Sequence, residues 1–287
     1  MSLTKPLAVV TGASSGIGLE FARRFADHGW DLVVCAEERA LARAADDLRR
    51  RGADVHPVRA DLAAYDGVEQ LAQAVAATRR PVAAAVLNAG TGLGGAFLDV
   101  DLADTARVVD LNVSSTLHLA HRLLPGMVDA GAGRLLIVSS VAAEVPGPYQ
   151  AAYHASKAFL LSFAEALRDE LRGTGVTVTV LLPGATATDF FRRAGLENTR
   201  LGRQPDKDSP ALVAAQGIRA MARGRGRVLA GSARSRAEGL AARLLPHAVT
   251  LRAARALARP LEPLPGERPA AGYPPGREPA EEPPSRR

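Results

Sequence analysis

Short apolar runs alternate with longer amphipathic segments from residue 7 to residue 230, and no other feature limits the fold of this chain so strongly. The runs at 7–11, 31–35, 55–59, 82–87, 133–139, 176–182 and 227–230 are short and mostly apolar, as strands covered on both faces should be. Between them, helical spacing of apolar residues predicts helices near 16–28, 38–51, 66–78, 101–128, 150–172 and 209–222. Repeated strand–helix units joined by right-handed crossovers give one architecture: an α/β fold with a doubly wound parallel sheet of about seven strands and helices on both faces. That domain is expected to span 1–231. From 232 to 259 an Ala/Leu/Arg-rich pattern predicts a basic amphipathic helical extension of one or two helices, interrupted at Pro246. Residues 260–287 turn abruptly to Pro, Gly, Glu and Arg, a composition expected to be disordered because it offers little apolar surface to bury.

Composition removes several function classes. Among 287 residues, 47% are hydrophobic and 23% charged, the balance of a globular protein with ample core material. A single cysteine, Cys35, cannot close an intramolecular disulfide, so a stapled miniprotein is out and a reducing, cytoplasmic setting is expected. No stretch approaches the ~18 uninterrupted apolar residues that a membrane span requires. The net charge of +6 suggests nucleic acid until it is divided: residues 1–200 carry −2 and residues 201–287 carry +8. Basicity confined to the C-terminal part fits a solvated helix at least as well as a phosphate-binding face, so no nucleic-acid partner is expected. An anionic membrane surface meeting the Arg-rich segment from Arg219 to Arg259 is a second reading. Against it, interleaved Ala and Leu resemble a packed helix.

Thr11-Gly12-Ala13-Ser14-Ser15-Gly16-Ile17-Gly18 follows the first strand and opens the first helix. Glycines in that turn let backbone approach a pyrophosphate, and the helix N-terminus offers unpaired N–H groups to the anion. The same residues contain Gly-x-Ser-x-Gly, the nucleophile elbow of serine hydrolases. Position argues against that rival: an elbow needs earlier strands and an upstream oxyanion loop, and only ten residues precede the motif.

A strand ending in Ser139-Ser140 is followed by Tyr153-His154-Ala155-Ser156-Lys157. Tyr153 and Lys157, four apart on a helix, share one face, so the ammonium could stabilise a phenolate. Drawing a phenol from its usual value near 10 down by ~2–3 units takes about 3–4 kcal/mol, a task for a fixed cation in a dry site. Lysine is scarce here, with only Lys5, Lys157 and Lys207.

Together these motifs resemble the short-chain dehydrogenase/reductase family, whose sheet is of the Rossmann type. The glycine loop (Gly12, Ser14, Ser15, Gly16, Ile17, Gly18) matches the family's Thr-Gly-x-x-x-Gly-x-Gly, and Asn88-Ala89-Gly90 matches its Asn-Ala-Gly. Asn112 matches a helix asparagine; Ser140, Tyr153 and Lys157 match the catalytic serine and Tyr-x-x-x-Lys; Pro183-Gly184 with Thr188 matches the segment touching the nicotinamide carboxamide. Asp61-Leu62 resembles the pair that contacts the adenine. The resemblance implies hydride transfer between NAD or NADP and an alcohol or ketone. Tyr153 would exchange the proton and Ser140 hold the same oxygen. Lys157 would bind ribose hydroxyls and lower the Tyr153 pKa, Asn112 hold a relay water, and Asn88 support the sheet beside the cofactor.

Phe190, Phe191, Leu93, Phe97 and Val145 suggest an apolar substrate, and by the resemblance Glu144 and Tyr149 lie in segments bordering its pocket. NAD is expected over NADP. Ala36 occupies the place of the usual ribose-binding Asp, but Glu37 follows and would repel a 2′-phosphate, with Arg39 as a counterweight. No metal site is expected, since His118 and His121 lack further ligands at suitable spacing. A sensor that binds nucleotide without turnover is the alternative, marked in other chains by loss of the Tyr or Lys, both present here. The resemblance also implies dimers or tetramers pairing the helices at 101–128 and 150–172, with the C-terminal extension a candidate cover for one such interface.

Overall fold

Neighbouring residues on the central strands turn to opposite faces of one sheet, which is why uninterrupted apolar runs were needed. Val9, Val33, Cys35, Leu87, Leu135 and Ile137 enter one core, while Ala8, Val10, Leu32, Val34, Val86 and Leu136 enter the other. In this computed structural model, which describes residues 5–261, seven parallel strands form the sheet. They are β1 (Leu7–Thr11), β2 (Asp31–Ala36), β3 (Val55–Arg59), β4 (Val82–Leu87), β5 (Gly133–Val138), β6 (Val176–Pro183) and β7 (Arg227–Ala230). Their order is β3-β2-β1-β4-β5-β6-β7. Pro57, which cannot donate to a ladder, sits in β3 at the edge.

Helices cover both faces. On one side lie α1 (Gly16–Asp27), α2 (Ala40–Arg50) and α8 (Pro210–Ala222), burying Phe21, Phe25, Leu41, Leu48, Val213 and Met221. Each such side chain contributes roughly 1.5–3 kcal/mol of burial. Gly217 lets α8 approach α1: a Cβ there would stand 2.5 Å from the Phe21 ring. On the other side lie α3 (Tyr65–Ala77), α5 (Ser115–Asp129) and α6 (Ala151–Glu170).

The strand order reverses between β1 and β4, so their connections leave in opposite directions and a crevice opens at the carboxyl ends. Gly12 follows β1 and Asn88 follows β4, which puts both motifs at that crevice.

Where the sequence predicts one helix over 101–128, the chain forms α4 (Leu102–Val109), a π turn (Asp110–Ser114) and α5. The wide turn places Asn112 in the interior, fully buried, and the Ser115 and Thr116 hydroxyls donate to the carbonyls of Leu111 and Asn112. Two short elements were not expected: a 3₁₀ turn at Val141–Glu144 and α7 (Phe190–Arg193). The extension is two helices, α9 (Ala233–Leu244) and α10 (His247–Ala258), divided at Pro246 as predicted. Docking continues past the expected boundary at 260. Leu261 N donates to the Asn198 carbonyl at 2.9 Å and Pro260 bridges Thr199. The rest of the segment predicted to be disordered, 262–287, lies outside the described residues.

Candidate active site

The floor of the crevice is backbone. Gly12 and Gly16 hold φ of +65° and +57°, which residues with a Cβ rarely adopt. Gly18 is more constrained still: a Cβ would lie 2.2 Å from the Gly12 carbonyl oxygen and 2.5 Å from Asn88 Nδ2. The Thr11 hydroxyl accepts from the backbone N–H of both Asn88 and Ala89 at 2.9 Å, while Asn88 Nδ2 donates to the Thr11 carbonyl at 3.0 Å. These bonds tie the ends of β1 and β4. Ser15 stands at the start of α1 with no side-chain cap, leaving the helix N–H groups toward the cleft. A glycine cradle at a helix N-terminus fits the pyrophosphate of a dinucleotide.

The residues expected at the adenosine end are joined by two arginines that sequence reasoning missed. Arg107, from α4, donates to both Asp61 oxygens at 2.9 and 3.2 Å and to Glu37 at 2.6 Å. The guanidinium holds the Asp61 carboxyl below its usual range. Arg193, from α7, pairs with Glu38, which also accepts from the Ser14 hydroxyl. The Arg193 guanidinium reaches Ser15 Oγ as well, at 3.4 Å. Leu62 is buried beside Asp61.

Deeper in, β5 ends beneath α6. Ser140 is extended, accepts from Ala142 N at 3.1 Å and donates to the Pro183 carbonyl at 3.4 Å. Tyr153 and Lys157 are both buried on the same face of α6. Burial pushes the Tyr153 phenol up to about 12, with the Ser140 hydroxyl pulling the other way. Burial also pushes the Lys157 ammonium down to about 8. Lys157 Nζ lies 5.8 Å from the centre of the Tyr153 ring and donates to the Val138 carbonyl at 3.1 Å. Here the expected lowering of the phenol by lysine gives way to desolvation, and the phenol holds its proton at neutral pH. The Asn112 amide is engaged on both sides: Oδ1 accepts from Thr91 N at 2.8 Å, and Nδ2 donates to the Thr91 carbonyl and to Ser156 Oγ, each at 2.9 Å. Gly90 lies against this group, for a Cβ there would be 3.0 Å from Asn112 Oδ1 and 3.3 Å from Lys157 Nζ.

The loop after β6 forms the far wall. Gly184 lets this loop pass beneath α9, since its Cβ would meet Ser235 at 2.8 Å. Thr188 packs on Gly16, and the Phe190 ring lies 5.1 Å from that of Tyr153. Phe190, Phe191, Val145 and His154 line the cavity. The imidazole of His154 meets the Val145 carbonyl at 2.8 Å, and burial holds it below its usual pKa. Glu144 turns away to pair with Arg227. Tyr149 contributes backbone instead, with φ of +65° and its carbonyl accepting from Gly95 N at 2.9 Å. Neither it nor Leu93 nor Phe97 lines the cavity. His118, on α5, does not line the cavity and meets Glu69 at 2.5 Å.

Glycine loop, Ser140, Tyr153, Lys157 and Thr188 open onto one cavity of about 1020 Å³. Its outer wall was not foreseen: α9 and α10 lie over it, their inner faces apolar and Arg236, Arg243, Arg252, Arg255 and Arg259 exposed. The extension covers the cavity, and its charge is a solvated outer face.

Residues 6–198 match the family model described as short chain dehydrogenase. The chain belongs to that family. Sulfoacetaldehyde reductase 2 of Chromohalobacter salexigens is 37% identical over 187 residues, covering 64% of this chain and 74% of that protein. A solved short-chain dehydrogenase from Sphingobium yanoikuyae in complex with NADPH aligns with a TM-score of 0.73 at 29% identity, over 78% of this chain and 87% of that one. One from Burkholderia phymatum in complex with NAD aligns at 0.75 and 28% identity, over 92% and 99%. This short-chain dehydrogenase is therefore an oxidoreductase that moves hydride between a nicotinamide cofactor and a CH–OH or C=O group. Among the described residues no helix is long and apolar enough to cross a membrane.

Proposed function

We propose that Tyr153 is the proton-transferring catalytic residue and that the glycine loop, Asp61, Asn88–Gly90, Lys157 and Pro183–Thr188 hold the nicotinamide dinucleotide. The convergence of Ser140, Tyr153 and Lys157 with the glycine cradle on one cavity carries this reading. When bound, the nicotinamide supplies or accepts the hydride. Tyr153, protonated at neutral pH, donates to the substrate oxygen as a carbonyl is reduced, and Ser140 donates a hydrogen bond to the same oxygen. Lys157 places a cation 5.8 Å from the centre of the Tyr153 ring and would hold the ribose hydroxyls of the cofactor. Asn112 is a positioning residue: its amide clamps the 88–91 loop to α6 through Thr91 and Ser156.

The adenosine rim favours NAD. Glu37, Glu38 and Asp61 outnumber Arg107 and Arg193, so a 2′-phosphate would meet excess negative charge. The substrate is an apolar alcohol or ketone, consistent with Phe190 and Phe191 on the wall. The active form is a homodimer or homotetramer pairing α4–α5 with α6, where Leu102, Leu117 and Phe159 stand exposed.

Tyr153→Phe keeps the ring and removes the transferable proton. A screen of alcohols and ketones with both cofactors, read at the reduced-nicotinamide absorbance, should show at least ~10²-fold lower turnover in this variant and nearly unchanged cofactor affinity. Undiminished turnover would overturn the assignment.

A further inference from the structure

We propose that α9 and α10 build a subsite for an extended aliphatic group, so that the preferred substrates are long-chain ketones or secondary alcohols and not small polar carbonyls. The inference rests on the reading that the cavity holding Tyr153 is the hydride-transfer site.

Spacing is the first support. On α9, Ala241 and Ala242 face the cavity with Leu245 just past its end, and on α10 Thr250, Ala253, Ala254 and Leu257 do, the three- and four-residue intervals of a single helix face. Both faces are apolar where they could have been charged, since six arginines lie between 232 and 259. Arg234 and Glu238 also reach the wall, but Arg234 Nε donates to Glu238 at 2.9 Å, so that pair satisfies itself. Thr250 likewise returns its hydroxyl to the His247 carbonyl at 3.0 Å. What remains toward the cavity on these helices is the aliphatic surface of alanine, valine and leucine.

Side-chain size is the second support. Alanine on both helices leaves open the space that larger residues would fill. A family member acting on a two-carbon substrate needs no such room. The helices are also fixed in place: Leu201 N donates to the Leu257 carbonyl at 3.0 Å, Pro260–Leu261 clip onto 198–199, and Gly239 lets α9 sit on Leu229 and Val141. Room beside these anchored apolar helix faces suits a chain of methylenes, which gains about fourfold in affinity for each one removed from water.

The full-length enzyme should be assayed with methyl ketones from butan-2-one to dodecan-2-one, with sulfoacetaldehyde as the polar comparison. Reductive kcat/KM should rise at least ~10²-fold along the series, at no more than about fourfold per methylene, with sulfoacetaldehyde near the bottom. Ala254→Trp on α10 and Ala242→Trp on α9 should each lower kcat/KM for dodecan-2-one at least about tenfold and move the optimum to shorter chains. Ala254→Leu, a smaller intrusion, should shift the optimum the same way if a tryptophan unfolds its helix. A flat series, or a profile indifferent to these variants, overturns the subsite and leaves hydride transfer standing. If no compound is turned over with either cofactor, the hydride reading fails, and the subsite is judged by binding alone. Dodecan-2-one should displace 1-anilinonaphthalene-8-sulfonate from the wild type and less readily from Ala254→Leu; failure to displace it from the wild type overturns the proposal.

Discussion

The floor and the roof of this cavity are built on opposite principles. At the floor, β1, β4 and α1 meet through glycine backbone, and a Cβ at Gly18 would come within 2.2 Å of a carbonyl oxygen. At the roof, α9 and α10 meet the cavity with alanine and leucine, and Leu244 at their junction is 71% exposed. The floor tolerates one shape. The roof has space in which side chains can grow, so on the proposed reading cofactor recognition is tied to the core of the fold while substrate choice is left to two surface helices.

The largest expected effect tests that contrast directly. Gly18→Ala forces backbone apart beneath the pyrophosphate cradle and should weaken cofactor affinity by about 10²-fold, the equivalent of ~3 kcal/mol, by titration calorimetry. Ala242→Phe in the roof should leave the cofactor Kd within about threefold. Equal losses from both would erase the distinction.

The same contrast explains what could be read from the sequence. All seven strands and the doubly wound architecture were legible, because short apolar runs alternating with amphipathic segments decide what a sheet covered on both faces can bury. Gly12, Gly18, Tyr153 and Lys157 were legible because close approach and helical spacing are local properties. Arg107 and Arg193 were not, since the rim carboxylates they reach, Glu37, Asp61 and Glu38, lie 46 to 155 residues away and no local pattern marks a long-range ion pair. The π turn at Asn112 escaped for a related reason: its apolar period is too close to that of an α-helix. The roof helices were foreseen as amphipathic, but which face would cover what depends on where 198–201 receive them.

Lys157 belongs to the floor and should show its cost. Its folded pKa of about 8 lies below the ordinary 10.5, so between those values the unfolded chain binds a proton that the folded chain does not. This lysine therefore destabilises the fold below pH ~8, and stability recovers as pH rises through that window. Lys157→Met should raise Tm at neutral pH by about 2–4 °C for each kcal/mol relieved, while turnover falls at least ~10²-fold. A lower Tm with a flat pH dependence would mean that the bond to the Val138 carbonyl outweighs desolvation.

At the rim, between floor and roof, the expected effects are smaller. Wild type should favour NAD by roughly 5–30-fold in kcat/KM, the worth of ~1–2 kcal/mol of repulsion at a 2′-phosphate. Glu37→Arg should reverse the preference. Arg107→Ala frees both Glu37 and Asp61 and should deepen it. An NADP preference in wild type would mean that Arg107 and Arg193 turn toward the phosphate and outweigh the three carboxylates.

The smallest effect concerns where the roof is fastened. A chain ending at Leu261 keeps both the Pro260–Thr199 bridge and the Leu261 bond to Asn198, and it omits only the Pro- and Gly-rich segment with little apolar surface to bury. Its Tm and its kcat/KM for long ketones should stay within error of the full-length values. A chain ending at Ala258 loses the fastening, and one backbone hydrogen bond with a net value of about 1 kcal/mol corresponds to ~2–4 °C in a domain of this size. Because that loss falls on the roof alone, long-chain kcat/KM should drop with it while the cofactor Kd holds. A matched fall in cofactor affinity would show that floor and roof are coupled, and the division of labour drawn between them would have to be abandoned.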